Sequence, residues 1–286
     1  MANKHLRKSL LFTILTLSSF LAVGQSDFLK NDYVQYDVTT DSGKYKIDYF
    51  FKDNFDNKLH FELELPKPET DRMISKFGVP KELFLAHRET VATRSRNEQI
   101  LENGLFLLNN NTVEPDKSAT IDYYAESFCK PIAEMLVEVL QEQGKDTRRN
   151  RIELAMRFVQ DIPYAIPECP DKNRYCGGVN PPPKLLIDGY GDCDSKAIFF
   201  AGIMIYLTDS RDIIFLVQQK HILTAIRTKT KEKSLTYVRY HRKNYLIAET
   251  AGPGKRTLGQ KGKYFSRSFK VERLNIKTVG VLSFRE

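Results

Sequence analysis

Apolar and polar positions along this chain follow two rhythms, and the changes between them mark out the elements. In "LHFELEL" (59–65) Leu59, Phe61, Leu63 and Leu65 alternate with His60, Glu62 and Glu64. A period of two predicts a half-buried antiparallel strand with His60 on its wet face. "YVQYDV" and "KYKIDYFF" read as two further strands joined across "TTDSG", which has hairpin-turn chemistry. "PKPET" is expected to break this pattern, and "TDRMISKFG" predicts a short helix closed by Gly78. "LNNNTVEPDKS" (108–118), dense in turn formers, is expected to be a linker.

Beyond it the rhythm lengthens. Ile132, Met135, Leu136, Val139 and Leu140 recur at helical spacing, with Gly144 as the stop. Ile152, Ala155, Met156 and Val159 predict a second helix, halted at Pro163. The stretch 163–184 holds six prolines, which excludes a long helix or central strand. It reads as a lid, a substrate wall or an inert connection. Residues 193–207 are apolar nearly all round, the mark of a buried helix. "DIIFLVQQ", "HILTAIRT", "SLTYVRY" and "NYLIAET" then predict antiparallel strands. Helices, a buried helix and a run of strands make the fold class α+β, with an N-terminal β-rich region over 25–110 and a second domain over 111–286.

The first residues alter the charge count. Lys4, Arg7 and Lys8 precede an apolar-rich run at 10–23 and the small residues Ala22 and Gly24. The run is shorter than the roughly 20 residues a bilayer span needs, so residues 1–24 are expected to be a cleaved signal peptide. A secreted or periplasmic protein follows, with no transmembrane span after removal. The formal charge falls from +8 to +5 without those three cations. The remaining excess gathers in "RTKTKEK" (227–233) and "GKRTLGQKGKYFSRSFK" (254–270). These read as solvated loops, or as a surface for an anionic envelope component. No nucleic-acid reader motif is present, so nucleic acid is not an expected partner.

An oxidising compartment permits disulfides. Cys169 and Cys176 flank "CPDKNRYC", where a local disulfide and two free thiols both fit the spacing. No second close Cys/His pair completes a zinc set, no calcium-loop signature occurs, and no metal or cofactor is expected. Without a C-x-x-C motif, a redox role is disfavoured. Cys129 falls on the apolar stripe of its helix and reads as a small core residue.

Cys193 is different. In "GYGDCDSKAIFF" it opens the buried helix behind a Gly-Tyr-Gly turn. The positive end of the helix dipole is expected to lower its pKa and favour the thiolate. Asp192 and Asp194 act in the opposite direction. Among five histidines, His221 opens a strand one element after the buried helix, where a short sheet brings it to the helix start. Glu249 ends the last apolar strand, where a carboxylate needs a partner. Each alone also fits a structural role.

Together, Cys193, His221 and Glu249 follow one another at intervals of 28 residues. "GYGDCDSKA" resembles the cysteine motif of the transglutaminase-like superfamily, G-x-C-x-x-x-A. "HILTAI" and "NYLIAET" are similar to its histidine and acidic strands, and "RFVQDIPYAIP" to the helix and Tyr-containing turn that precede the cysteine. The likeness covers roughly 120–255. It implies a papain-like fold and a triad with Cys193 as nucleophile, His221 as base and then acid, and Glu249 orienting the imidazole. The Cys193 N–H would supply an oxyanion donor, with Tyr164, Gly191 and Asp192 as weaker substrate or oxyanion contacts. Glu in place of the commoner Asp, and the absence of Trp, depart from the pattern and favour hydrolysis over cross-linking. The implied activity is cleavage or transfer of peptide or glutaminyl amides through a thioester, on a protein or peptide substrate. The alternative is a non-catalytic envelope-binding or scaffold module on the same fold.

Overall fold

The computed structural model describes residues 28–85, 92–109, 112–169, 171–229, 232–277 and 279–283. The expected signal peptide lies outside them, as does His87. Strands β1 (Gln35–Asp41), β2 (Lys44–Lys52) and β3 (Lys58–Pro66) form an antiparallel sheet in chain order. Ser42 and Gly43 turn β1 into β2 with φ of 51° and 76°, the left-handed pair that a two-residue hairpin requires. As the alternation predicts, Phe61 and Leu65 are buried while His60 stays on the outer face, against Asp48.

The expected break at "PKPET" is instead a helix start. Helix α1 spans Lys67–Lys76, with Pro66 capping it and Pro68 in its first turn. A missing N–H costs nothing there, because first-turn donors have no helical acceptor. After β4 (Val79–Pro80), α2 (Lys81–Leu85) and α3 (Ala92–Asn103), the expected linker proves to be a hairpin. Strands β5 (Phe106–Asn109) and β6 (Thr112–Pro115) pair across it, with Phe106 and Val113 buried. Turn formers mark a tight turn between strands as readily as a linker.

Helix α4 (Lys117–Tyr124) runs through a π-helical turn, Ala125–Cys129, into α5 (Lys130–Glu142), and α6 (Arg148–Asp161) follows. The proline-rich stretch carries β7 (Arg174–Tyr175), which pairs with β4, and ends in α7 (Pro182–Asp188). Helix α8 spans Cys193–Leu207, with only Asp194 of its residues not buried. Strands β8 (Ile213–Val217), β9 (Ile222–Thr228), β10 (Tyr237–Tyr240), β11 (Lys243–Ala248) and β12 (Lys270–Arg273) then make one antiparallel sheet of order β10-β11-β9-β8-β12. The edge strand β12 is four residues long and largely polar, so its sequence gives little strand signal.

Helix α8 lies at the centre, packed on β8 and β9 on one side and on α4, α5 and α6 on the others. The N-terminal sheet joins this core through Phe158 of α6. Tyr49, Phe51 and Phe61 each meet that ring edge-on with centroids 5.2 Å apart, and the Tyr49 hydroxyl donates to the Phe158 carbonyl at 2.7 Å. Losing such a ring typically costs about 3–5 kcal/mol. One apolar cluster therefore runs from Val34 to Leu274 across the expected boundary at 110. A smaller cluster on the opposite sheet face, around Ile214, Leu223 and Ile247, is covered by Phe265 and Phe269 of the C-terminal segment. The α+β class holds, with helices on an antiparallel sheet. No helix among the described residues is long and apolar enough to cross a membrane.

Candidate active site

The turn before α8 is built from both sides. Helix α7 ends at Gly189, with φ of 69°, and a Cβ there would meet the Tyr36 ring at 2.7 Å. Only glycine suits both constraints. The Tyr36 hydroxyl donates to the Leu186 carbonyl at 2.7 Å, so β1 buttresses this turn. Asn180 holds the other side: its Nδ2 donates to Asp188 Oδ2 at 3.0 Å and to the Tyr190 carbonyl at 3.2 Å.

Asp192 is the N-cap of α8. Its Oδ1 accepts from the Ser195 N–H at 2.9 Å and from the Ser195 hydroxyl at 2.7 Å. Ser195 Oγ in turn accepts the Asn180 N–H at 2.9 Å. Such a cap contributes about 1 kcal/mol to helix stability. Burial pushes the Asp192 carboxyl up to about 6 despite these hydrogen bonds. Asp192, expected as a weaker substrate contact, uses its Oδ1 to close the helix start. The expectation for Gly191 is corrected. Its N–H donates to the Pro163 carbonyl at 3.2 Å and is not left for an oxyanion. A Cβ on Gly191 would press on Ser195 at 2.9 Å, so the residue serves close packing.

Cys193 is 8% exposed. Its thiol donates to Asp194 Oδ2 at 3.6 Å, with the Ile222 N–H and the Tyr164 hydroxyl beside it. The expected depression of its pKa is absent. Burial, first, and then the carboxylates of Asp194 and Asp192 push the thiol up to about 12. Desolvation and two adjacent anions outweigh the helix dipole, whose effect at a terminus is a fraction of a kcal/mol to about 2 kcal/mol. Tyr164 is likewise raised to about 12, chiefly by burial and then by Cys193.

His221 precedes β9 at a tight turn in which the Gln218 N–H donates to the His221 carbonyl at 2.8 Å. Its Nε2 meets Glu249 Oε2 at 2.7 Å, with both side chains buried. This contact leaves Nδ1 as the ring nitrogen available to other groups. Glu249 Oε1 accepts the Ala251 N–H at 3.1 Å, so both carboxylate oxygens are held. A Cβ on Gly262 would meet Glu249 Oε2 at 2.8 Å, which lets the C-terminal segment lie directly over the pair. The three expected residues thus come from a helix start, a strand start and a strand end. His221 and Glu249 are in direct contact, and Cys193 meets the residue that follows His221.

Three further residues shape this site. Asp194 bonds the thiol; burial raises its carboxyl pKa, and the charges of Lys117 and His221 act in the opposite direction. Lys117 Nζ pairs with Glu272 Oε2 at 2.9 Å behind it. Lys196, one turn after Cys193, is fully buried. Its ammonium donates to the carbonyls of Gln160 at 3.4 Å, of Ile162, and of Ala251 at 2.8 Å. Gln160 Nε2 also donates to the Glu249 carbonyl at 2.7 Å. Helix α6, the Cys193 helix and the Glu249 loop are thereby tied together. A Cβ on Gly252 would meet the Gln160 carbonyl at 2.2 Å, so that loop reaches its place only with glycine. The sequence signal for this network is a lone Lys inside an otherwise apolar helix.

Cys169 and Cys176 form a disulfide with Cα atoms 5.5 Å apart, settling the alternatives their spacing left open. Cys129 is a free, buried thiol, raised by burial and packed at Gly202 of α8. Cys193 is the other free thiol among the described residues. Comparisons with protein-family models, curated proteins and solved structures find no match for this chain.

Proposed function

We propose that this chain is an exported cysteine-dependent acyl-transfer enzyme of transglutaminase-like type, on a papain-like core, with water favoured over amines as acceptor. The observation that carries the reading is the buried His221–Glu249 contact of 2.7 Å beside a thiol at a helix N-terminus. A carboxylate on one imidazole nitrogen fixes the tautomer and stabilises the imidazolium formed when the other nitrogen takes a proton. With the thiol held near 12, His221 removes the proton as sulfur attacks the carbonyl. The C–S bond forms, and the amine leaves with the proton returned by His221. Cys193 occupies the first position of α8, where the backbone N–H has no helical acceptor and can donate to the oxyanion. Water then cleaves the thioester by the same proton relay.

The test is acylation by cinnamoyl imidazole, followed by mass mapping. Cys193 should acylate in the wild type, deacylate in water, and lose at least about a hundredfold in acylation rate in His221→Ala. Equal rates in the two proteins would remove the triad from the mechanism. A fluorescent amine captured on deacylation would mark transfer in place of hydrolysis. The second reading, a non-catalytic envelope-binding module, is favoured by the resting thiol bonding to Asp194 and not to the imidazole.

A further inference from the structure

The segment that carries Tyr164 forms a small sheet beside the thiol. Tyr164 and Leu29 exchange backbone hydrogen bonds of 3.1 and 2.8 Å in an antiparallel bridge, and Tyr164 bridges Gly191 in parallel on its other edge. Directly opposed residues of such a pair present their side chains on the same face. The Tyr164 hydroxyl lies against the Cys193 thiol, so Leu29 shares the thiol's face. Ile166 is two residues further along the same non-helical segment, and the extended backbone favoured before Pro167 would return it to that face. Phe28 and Tyr190, each one residue off this register, pack against each other at a tilt of 36° with ring centroids 4.8 Å apart, as the alternation requires for the opposite face. Leu29 is 56% exposed and Ile166 is 75% exposed. An apolar lip therefore leads to the nucleophile.

The other side of the site is polar. A pocket of about 270 Å³ next to His221 is lined by Gln218, Lys220, Tyr264, Ser266 and Ser268. The chemistry orients the two sides. The leaving amine must receive its proton from His221, so the amine half of an amide occupies the imidazole side. The acyl half then lies toward Tyr164.

We infer, resting on the acyl-transfer reading above, that this site takes amides whose acyl-side residue is apolar, seated on Leu29 and Ile166. Peptide chloromethyl ketones test it, because the warhead replaces the scissile amide and leaves only the acyl side. The Cys193 sulfur displaces chloride, forming C–S and breaking C–Cl. Acetyl-leucine and acetyl-glutamate chloromethyl ketones are compared at Cys193, each rate divided by the iodoacetamide rate of the same protein. The leucine reagent should be about tenfold faster, as expected for partial burial of one aliphatic side chain. Ile166→Asp and, separately, Leu29→Asp should bring the ratio below about two. Both side chains are exposed, so neither change threatens folding. A wild-type ratio near one, or a ratio unmoved in both variants, overturns the inference while leaving the triad standing. If Cys193 reacts with iodoacetamide no faster than Cys129, the catalytic reading falls and this one with it.

Discussion

Asp194 is the strongest lever on the nucleophile. Its Oδ2 lies 3.6 Å from the Cys193 sulfur and accepts the thiol proton. Replacing it as Asp194→Asn removes the negative charge and keeps the shape. At that distance, a unit-charge interaction is worth about 1 kcal/mol in water and about 4–5 kcal/mol at an effective dielectric near 20. The thiol pKa should therefore fall by about 1–3 units. From a start near 12, about one thiol in ten thousand is ionised at pH 8, so the thiolate fraction rises by the full shift. A less basic thiolate attacks more slowly, which offsets about half of the gain on a logarithmic scale. The net expectation is labelling by iodoacetamide about 3- to 30-fold faster at pH 8, mapped to Cys193, with Cys129 as the internal control. The pH–rate profile should move to lower pH by the same shift. A slower Asp194→Asn variant would refute the argument and identify Asp194 as the group that takes the proton. An unchanged rate would show that its charge does not reach the sulfur.

Two other substitutions probe the frame around the site. Burial lowers the Lys196 ammonium to about 7 in the folded chain, below its unfolded value near 10.4. Between those values the unfolded chain binds the extra proton, so stability should rise with pH from about 7 to 10.5, with a slope approaching 1.4 kcal/mol per unit. Lys196→Met should lack that contribution in denaturant titrations at pH 7, 8, 9 and 10, and parallel curves would contradict it. For the Cys169–Cys176 bridge, which closes a separation of seven residues, loop-closure entropy predicts that Cys169→Ser with Cys176→Ser loses about 2 kcal/mol. A loss under about 0.5 kcal/mol in urea unfolding would show that the loop is held by its other contacts.

Elements with a strong period were legible from residues alone. The α8 boundaries, the alternation of β3 and the four strands β8 to β11 follow from apolar spacing that matches one geometry. The failures share a cause: short-range chemistry serves more than one structure. The "LNNNTVEPDKS" turn formers join β5 to β6, and Pro66 and Pro68 begin α1. At the site, chain order singled out Cys193, His221 and Glu249, because strong residue types stood at element ends. What the residues around them do depends on three-dimensional neighbours. Asp192, expected as a weak substrate contact, also caps α8, and that cap depends on Ser195 turning back onto it. The thiol looked depressed and is raised, because burial and two carboxylates act on it together.

The two aspartates beside Cys193 have separate jobs, and this bears on how the site rests and how it fires. Asp192 belongs to the fold: its hydrogen bonds with Ser195, and those of Ser195 with Asn180, set the pitch of the first turn of α8. Asp194 acts on the thiol: its Oδ2 accepts the Cys193 proton, while the charges of Lys117 and His221 favour its own carboxylate. In the resting arrangement its carboxylate accepts the thiol hydrogen bond and lowers the thiolate fraction. A substrate carbonyl arriving at the α8 N-terminus brings a partial negative charge to the helix N–H groups and excludes water from the pocket. On the proposed acyl-transfer reading, the thiol gives up its proton only when an acyl group is present, and a buried thiol kept protonated until then resists oxidation.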